Sequence, residues 1–204
     1  VRRSKTRHSK SPHTSLTSQY RLATHLGLAF VLLAALFWSW RDAREEWPDN
    51  AGRAHMSKRT GLLAALVYIQ IIAGAFVAGT HSGKSYNTWP AMDGGFVPGG
   101  YGAMTPFWKN MFENSAAIQF NHRFLAYVIL ALLFVVAIGT QRSRQLIRPF
   151  WVLAALVFWQ VILGIWTLLM VAPLNLSLLH QFSSIFVFLA ALSLWRNALI
   201  SRAY

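Results

Sequence analysis

The sequence predicts an all-α membrane protein with five transmembrane helices, and three observations predict it. Of 204 residues, 55% are hydrophobic and only 12% charged, against roughly 25% charged in soluble domains. The charges fall in short blocks between long apolar runs. Five of those runs reach the ~20 residues that a spanning helix needs.

The first span is expected at about 19–40, ending on Trp38 and Trp40. Indole rings at a span's end suit the membrane interface. The second, about 59–79, carries Val67-Tyr68-Ile69-Gln70-Ile71-Ile72-Ala73-Gly74. The third covers about 116–140. The fourth, about 149–171, opens near Trp151 and carries Val157-Phe158-Trp159-Gln160-Val161-Ile162-Leu163-Gly164. The fifth, about 175–198, follows a tight turn at Pro173 and has Trp195 near its end.

The second and fourth spans thus repeat one pattern, with Gln and Gly four apart on one helix face. The first and fifth repeat another: a histidine early in the span, His25 and His180, then LAAL near the far end. The last four spans form one complete four-helix unit over 58–200. The helix at 18–41 reads as the last helix of a preceding unit.

The connections set topology. The loop at 41–58, the loop at 141–148 and the C-terminus share one side. They carry Arg41, Arg44, Arg53, Lys58, Arg59, Arg142, Arg144, Arg148, Arg196 and Arg202. The long loop 80–115 is rich in Gly, Pro, Asn and aromatics, with Lys84 and Lys109 as its cations. The positive-inside rule puts it outside, in a periplasm or intermembrane space. A bacterial cytoplasmic membrane and a mitochondrial inner membrane both fit.

Residues 1–17 fall on that outer side and carry Arg2, Arg3, Lys5, Arg7 and Lys10, against the rule. They have the composition of a transit peptide without its amphipathic period. The chain opens on Val, so a truncated or misassigned start is the expectation. The net charge of +13 resides mostly in loops flanking the spans and does not indicate nucleic acid. The absence of cysteine excludes disulfides, thiolate metal sites and Cys nucleophiles.

Ionisable residues inside spans mark functional sites by default. His25, His122 and His180 each lie five or six residues into their spans, roughly 8–9 Å below the start. By parity, all three sit near the outer face. Facing histidines on bundle helices can hold a haem from both axial sides. His122 and His180 suit that arrangement, with Phe120, Phe124, Phe182 and Phe186 expected as an aromatic lining. The competing role is a buried histidine bonded to neighbouring helices, and His25 has no visible partner. Zinc wants tetrahedral N/S ligation, which this spacing does not offer.

Arg123 fits either a haem propionate or lipid headgroups reached by snorkelling. Gln119 lies one turn before His122 on the same face. Gln70 and Gln160 are expected to make interhelical hydrogen bonds, and Gly74, Gly79 and Gly164 to allow close packing. The loop segments Tyr86-Asn87-Thr88-Trp89-Pro90 and Asn110-Met111-Phe112-Glu113-Asn114 fit an interfacial lid or a plain amphipathic surface. Asp93 and Glu113 are the outer-side carboxylates. His81 is a weak candidate loop ligand, and His8, His13 and His55 are expected to be solvated.

Together, GAFVAG at 74–79, YNTWPAMDG at 86–94, FEN at 112–114, QFNHR at 119–123 and LLHQ at 178–181 resemble haem A synthase. The likeness runs from about Ser18 to the C-terminus, and SQYRLATHLG at 18–27 resembles that family's fourth transmembrane helix. The resemblance implies eight spans in two pseudo-symmetric halves, each offering a His pair to one haem. It implies oxidation of a haem O ring methyl to the formyl group of haem A, for cytochrome c oxidase. By this likeness His122 and His180 are the axial ligands of a cofactor haem b, with Arg123 and Gln119 beside them. His25 matches the second His of the substrate-haem pair, the candidate catalytic residue.

The departures from the family pattern matter. Its first three spans have no counterpart here, nor does the first His of the N-terminal pair or the Glu one turn before it. Gln119, at the equivalent position before His122, cannot ionise. The chain alone is therefore expected to lack the catalytic half. The implied partners are the lipid bilayer, the haem O substrate, an unspecified electron donor, the cytochrome oxidase assembly machinery and a second copy of the chain. The alternatives are a non-catalytic haem-binding or assembly subunit and a b-type cytochrome passing electrons to quinone. A transporter would need broken helices or midplane charges.

Overall fold

A computed structural model describes residues 13–44, 55–141 and 143–200, and the side chains of these except 13–18, 55 and 144. Most of the basic tail, the charged stretch at 45–54 with Arg53, and Arg142, Arg202 and His8 lie outside the described residues. So do the side chains of Arg144, His13 and His55.

Among the described residues the chain is all helical. The helices are α1 (His13–Asp42), α2 (His55–Gly79), the short α3 (Asn110–Glu113), α4 (Ser115–Thr140), α5 (Arg144–Leu169) and α6 (Leu174–Ile200). Five are long and apolar enough to span a membrane: Gln19–Asp42, Met56–Gly79, Ser115–Thr140, Gln145–Leu169 and Leu174–Ile200. The expected spans all form. α1 starts earlier than expected, because its polar first turns continue the helix ahead of the apolar run.

The packing order is cyclic. α2 packs against α4 and α6, and α5 packs against α6 and α4. α4 and α6 therefore stand at opposite corners of a four-helix ring, and α2 and α5 at the other two. α1 lies outside the ring, mainly along α2. The repeat between α2 and α5 is longer than the Gln–Gly pair. Both read Leu-Ala-Ala-Leu-Val, at 63–67 and 153–157. Leu63, Ala64 and Val67 of one, and Leu153, Ala154 and Val157 of the other, are buried in the same core.

That core fills one end of the ring. Its α4 members are Ile129, Leu133 and Val136, and its α6 members run from Val187 to Ala198. All lie beyond His122 and His180, away from the 80–115 loop. The histidine layer is thus stacked on a tightly packed floor.

The far end holds a polar cluster. Arg196 is fully buried and pairs with Asp42 at 2.9 Å. Arg41 donates to Ser193 Oγ at 3.1 Å and Asn197 Oδ1 at 3.0 Å. These contacts clamp the end of α1 to α6. Arg41 and Arg196 are therefore not loose loop charges, as their place in the sequence suggests. Each has partners within the fold.

The 80–115 loop is organised by asparagines. Asn114 caps α4, its side chain accepting from the N–H of Ala116 and Ala117, two of the donors that a helix start leaves unpaired. The same side chain donates to Gly100 O at 2.7 Å and Asn110 Oδ1 at 2.8 Å. Asn110 in turn donates to the carbonyls of Met104 and Phe107. Gln19 of α1 donates to Phe112 O at 2.6 Å, and Tyr20 to Glu113 at 3.2 Å. The Asn110–Asn114 stretch is thus an internal brace, and the loop's exposed large apolar side chains include Phe96, Phe107 and Trp108.

The α5–α6 turn is strained. Val171 and Ala172 have φ of +62° and +50°, a region that a β-branched residue rarely enters. Thr167 and Leu168 carbonyls accept from Ala172 and Val171 and hold the turn. Asn87 of the outer loop donates to Leu168 O at 2.9 Å, tying that loop to the end of α5.

Candidate haem site

His122 is the eighth residue of α4 and His180 the seventh of α6. At 1.5 Å per residue they lie roughly 10 Å and 9 Å from their helix starts. They sit on opposite corners of the ring at similar depth.

Each histidine meets the same motif on the neighbouring helix. Gln70 Nε2 of α2 donates to the main-chain carbonyl of His122 at 3.0 Å. Gln160 Nε2 of α5 donates to that of His180 at 2.8 Å. One turn on, Gly74 and Gly164 face the two rings. A Cβ built at 74 would lie 3.3 Å from His122 Cε1, and one at 164 would lie 3.0 Å from His180 Cε1. The Gln–Gly repeat is a cradle, used twice, for one histidine each. The repeat is visible in the sequence. Its target is not, because the histidines lie 52 and 20 residues away on other helices.

The donor set fits a planar group held from two sides. No cluster of three His, Cys, Asp or Glu side chains suited to a bare metal ion occurs among the described residues. His180 Nδ1 and Gln70 Oε1 are buried without hydrogen-bond partners. Buried polar atoms left unbonded are uncommon and call for a missing partner or a functional reason. Glycine at 74 and 164 leaves each ring free to stand where a side chain would displace it.

Gln119 and Arg123 lie at the loop end of this layer, and both serve the loop. Gln119 Nε2 donates to Tyr86 O at 3.1 Å. Arg123 donates from Nη2 to Tyr86 O at 2.8 Å and from Nη1 to Thr88 O at 2.9 Å. Segment 86–88 is thereby held across the loop end of α4. Gln119 Oε1 and Arg123 Nε are buried and unbonded.

The expected aromatic lining is not there. Phe124, Phe182 and Phe186 are exposed, and the rings pair among themselves, Phe120 with Phe124 and Phe182 with Phe186. The reason is helical phase. Two residues from a histidine is about 200° around the helix, so Phe120, Phe124 and Phe182 point away from the site. Ser183, three residues after His180, is on its face and was not anticipated. Its hydroxyl donates to Gln160 Oε1 and to His180 O.

His25 is not brought to this site. It lies on the exposed side of α1, while Gln19, Ala23, Gly27 and Phe30 form the buried side. His81 is also exposed, at a left-handed turn after α2.

Residues 6–192 match the family described as cytochrome oxidase assembly protein. A haem A synthase of Maricaulis maris is 46% identical over 175 residues, covering 85% of this chain and 51% of the relative. Haem A synthases of Brucella ovis and Brucella abortus are 40% identical over 186 residues, covering 88% of this chain and 51% of theirs. The chain thus spans about half the length of these curated relatives. No solved structure matches it significantly. With a match across most of its length, on a membrane fold in which His122 and His180 each meet the same Gln–Gly cradle, the chain belongs to the cytochrome oxidase assembly protein family.

Proposed function

We propose that this chain carries the b-type haem half of a haem A synthase, with His122 and His180 as the two axial ligands of haem b. The observation that carries the reading is the duplicated cradle: Gln70 and Gly74 against His122, Gln160 and Gly164 against His180. Each cradle holds a histidine main chain through the glutamine and leaves room for its ring at the glycine. Held by His122 and His180, haem would supply a one-electron couple.

The chain's own residues do the rest. The packed core below the histidines sets a dry floor. Arg123 and Gln119 hold segment 86–88 over the loop end. Arg123 is a cationic group at that end that could pair with a propionate. The asymmetry of basic residues in the loops from 41 onward supports an outer-face site, periplasmic or facing the intermembrane space.

For the whole protein we propose oxidation of the haem O ring methyl to the formyl group of haem A, for cytochrome c oxidase. In that reading His25 is a ligand of the substrate haem. Its exposure on α1, away from the ring, supports a second site built outside these four helices.

Titrating haem b into the purified chain checks the cofactor reading. One haem per chain is expected, with affinity lost in both His122→Ala and His180→Ala. Full binding by both variants would contradict it.

A further inference from the structure

The seam between α5 and α6 carries a groove at the end away from the histidines. It measures about 240 Å³ and is lined by Arg148, Pro149 and Val152 of α5 and by Ala190 and Ser193 of α6. The depression forms where α6 offers only small side chains, Ala190 and Ser193, to its neighbour. Pockets that enclose a drug-sized ligand run to roughly 300–1,000 Å³, so this groove suits one headgroup and not a whole small molecule.

Its polar rim is one-sided. Arg148 is exposed and makes no hydrogen bond or ion pair among the described residues. None of the described carboxylates serves it. Residues 114–204 contain no Asp or Glu, Asp93 and Glu113 belong to the opposite loop, and Asp42 pairs with Arg196 at 2.9 Å. Across the groove, Ser193 Oγ accepts from Arg41 Nη1 at 3.1 Å. That leaves the Ser193 O–H for another acceptor and sets a second cation directly behind the hydroxyl.

Away from the rim the surface is apolar. Val152 and Trp159 on α5, and Phe186 and Phe182 on α6, are exposed and continue the two stripes at helical spacing. Both helices are long and apolar enough to cross a membrane, so these stripes meet acyl chains. Arg148 is the fifth residue of α5 and Ser193 the eighth from the end of α6, roughly 6 Å and 10 Å from the helix ends. A long arginine side chain reaches headgroup level from there.

We propose that this groove binds an anionic phospholipid, its phosphate held by the Arg148 guanidinium and the Ser193 hydroxyl, with an acyl chain along Val152 and Phe186. Basic pockets between spanning helices suit such headgroups. A zwitterionic headgroup would bring its own ammonium beside Arg148 and Arg41, and an anionic one does not. The site lies at the opposite end of the ring from His122 and His180 and stands without the haem reading.

The test is native mass spectrometry of the full chain from detergent containing phosphatidylglycerol and phosphatidylcholine with the same acyl chains. One phosphatidylglycerol should be retained in preference to phosphatidylcholine. Arg148→Gln should lower that preference about fivefold, the worth of one cation at a charged membrane surface, and Arg148→Lys by less. Val152→Phe, which fills the groove and keeps the cation, should also release the lipid. Lys58→Gln removes an exposed cation from the same end of the molecule and should leave the preference unchanged. No preference in the wild type, or equal losses in Arg148→Gln and Lys58→Gln, would overturn the inference. So would full retention by Val152→Phe. Displacement by inorganic phosphate at matched ionic strength would overturn it in favour of the free ion. A dimer without lipid, lost in Val152→Phe, would overturn it in favour of a second copy of the chain.

Discussion

Gly164 stands so close to His180 that a methyl group on its Cα would lie 3.0 Å from the ring Cε1. Few real Cβ contacts are that tight, and the obstacle is the ring itself. Gly164→Ala is therefore expected to turn His180 from its place and weaken haem b binding by about 10–100-fold, the usual cost of disturbing a ligand's support. Gly74→Ala, with 3.3 Å to His122 Cε1, should weaken it less. Haem titrations of the two variants rank them, and the reverse order would refute the cradle geometry.

Asn114 both caps α4 and pins the outer loop at Gly100 and Asn110. Asn114→Ala should cost about 0.5–2 kcal/mol from the cap alone. It should also raise amide hydrogen exchange across 98–113 while leaving α5 and α6 unchanged. Exchange measured by mass spectrometry separates these outcomes.

Asp42 is 40% exposed while its partner Arg196 is fully buried. Removing one partner of a wholly buried pair costs roughly 3–5 kcal/mol. Water reaching Asp42 reduces that, so Asp42→Asn is expected to cost about 1–3 kcal/mol. The thermal midpoint in detergent should fall, with haem binding kept, because the pair lies at the end away from the histidines.

The proposed topology is testable because the chain has no cysteine. Ala103 is exposed in the long loop and Gln141 is exposed at the end of α4. Ala103→Cys should react with a membrane-impermeant maleimide from outside, and Gln141→Cys only after permeabilisation. The opposite pattern would invert the assignment.

Most of the fold is legible in the sequence because lipid makes a simple demand. Each spanning helix must be apolar over ~20 residues, and such runs are visible without tertiary information. The Gln–Gly repeat at 70–74 and 160–164 is equally visible. What it touches depends on which helices are neighbours in the ring, and that is a property of packing. The same gap explains the phenylalanines, which adjoin the histidines in sequence and face away from them in space. It also explains Arg196, a span-end cation whose partner Asp42 lies 154 positions earlier. Hydropathy and topology rules count such a residue as a loop charge.

A haem shared by His122 and His180 is tested most directly by the reduced-minus-oxidised spectrum of the haem-loaded chain, for wild type and for each histidine-to-alanine variant. A six-coordinate low-spin b-type signal is expected in the wild type, lost or converted to high spin in both variants. An unchanged low-spin signal in either variant would contradict it.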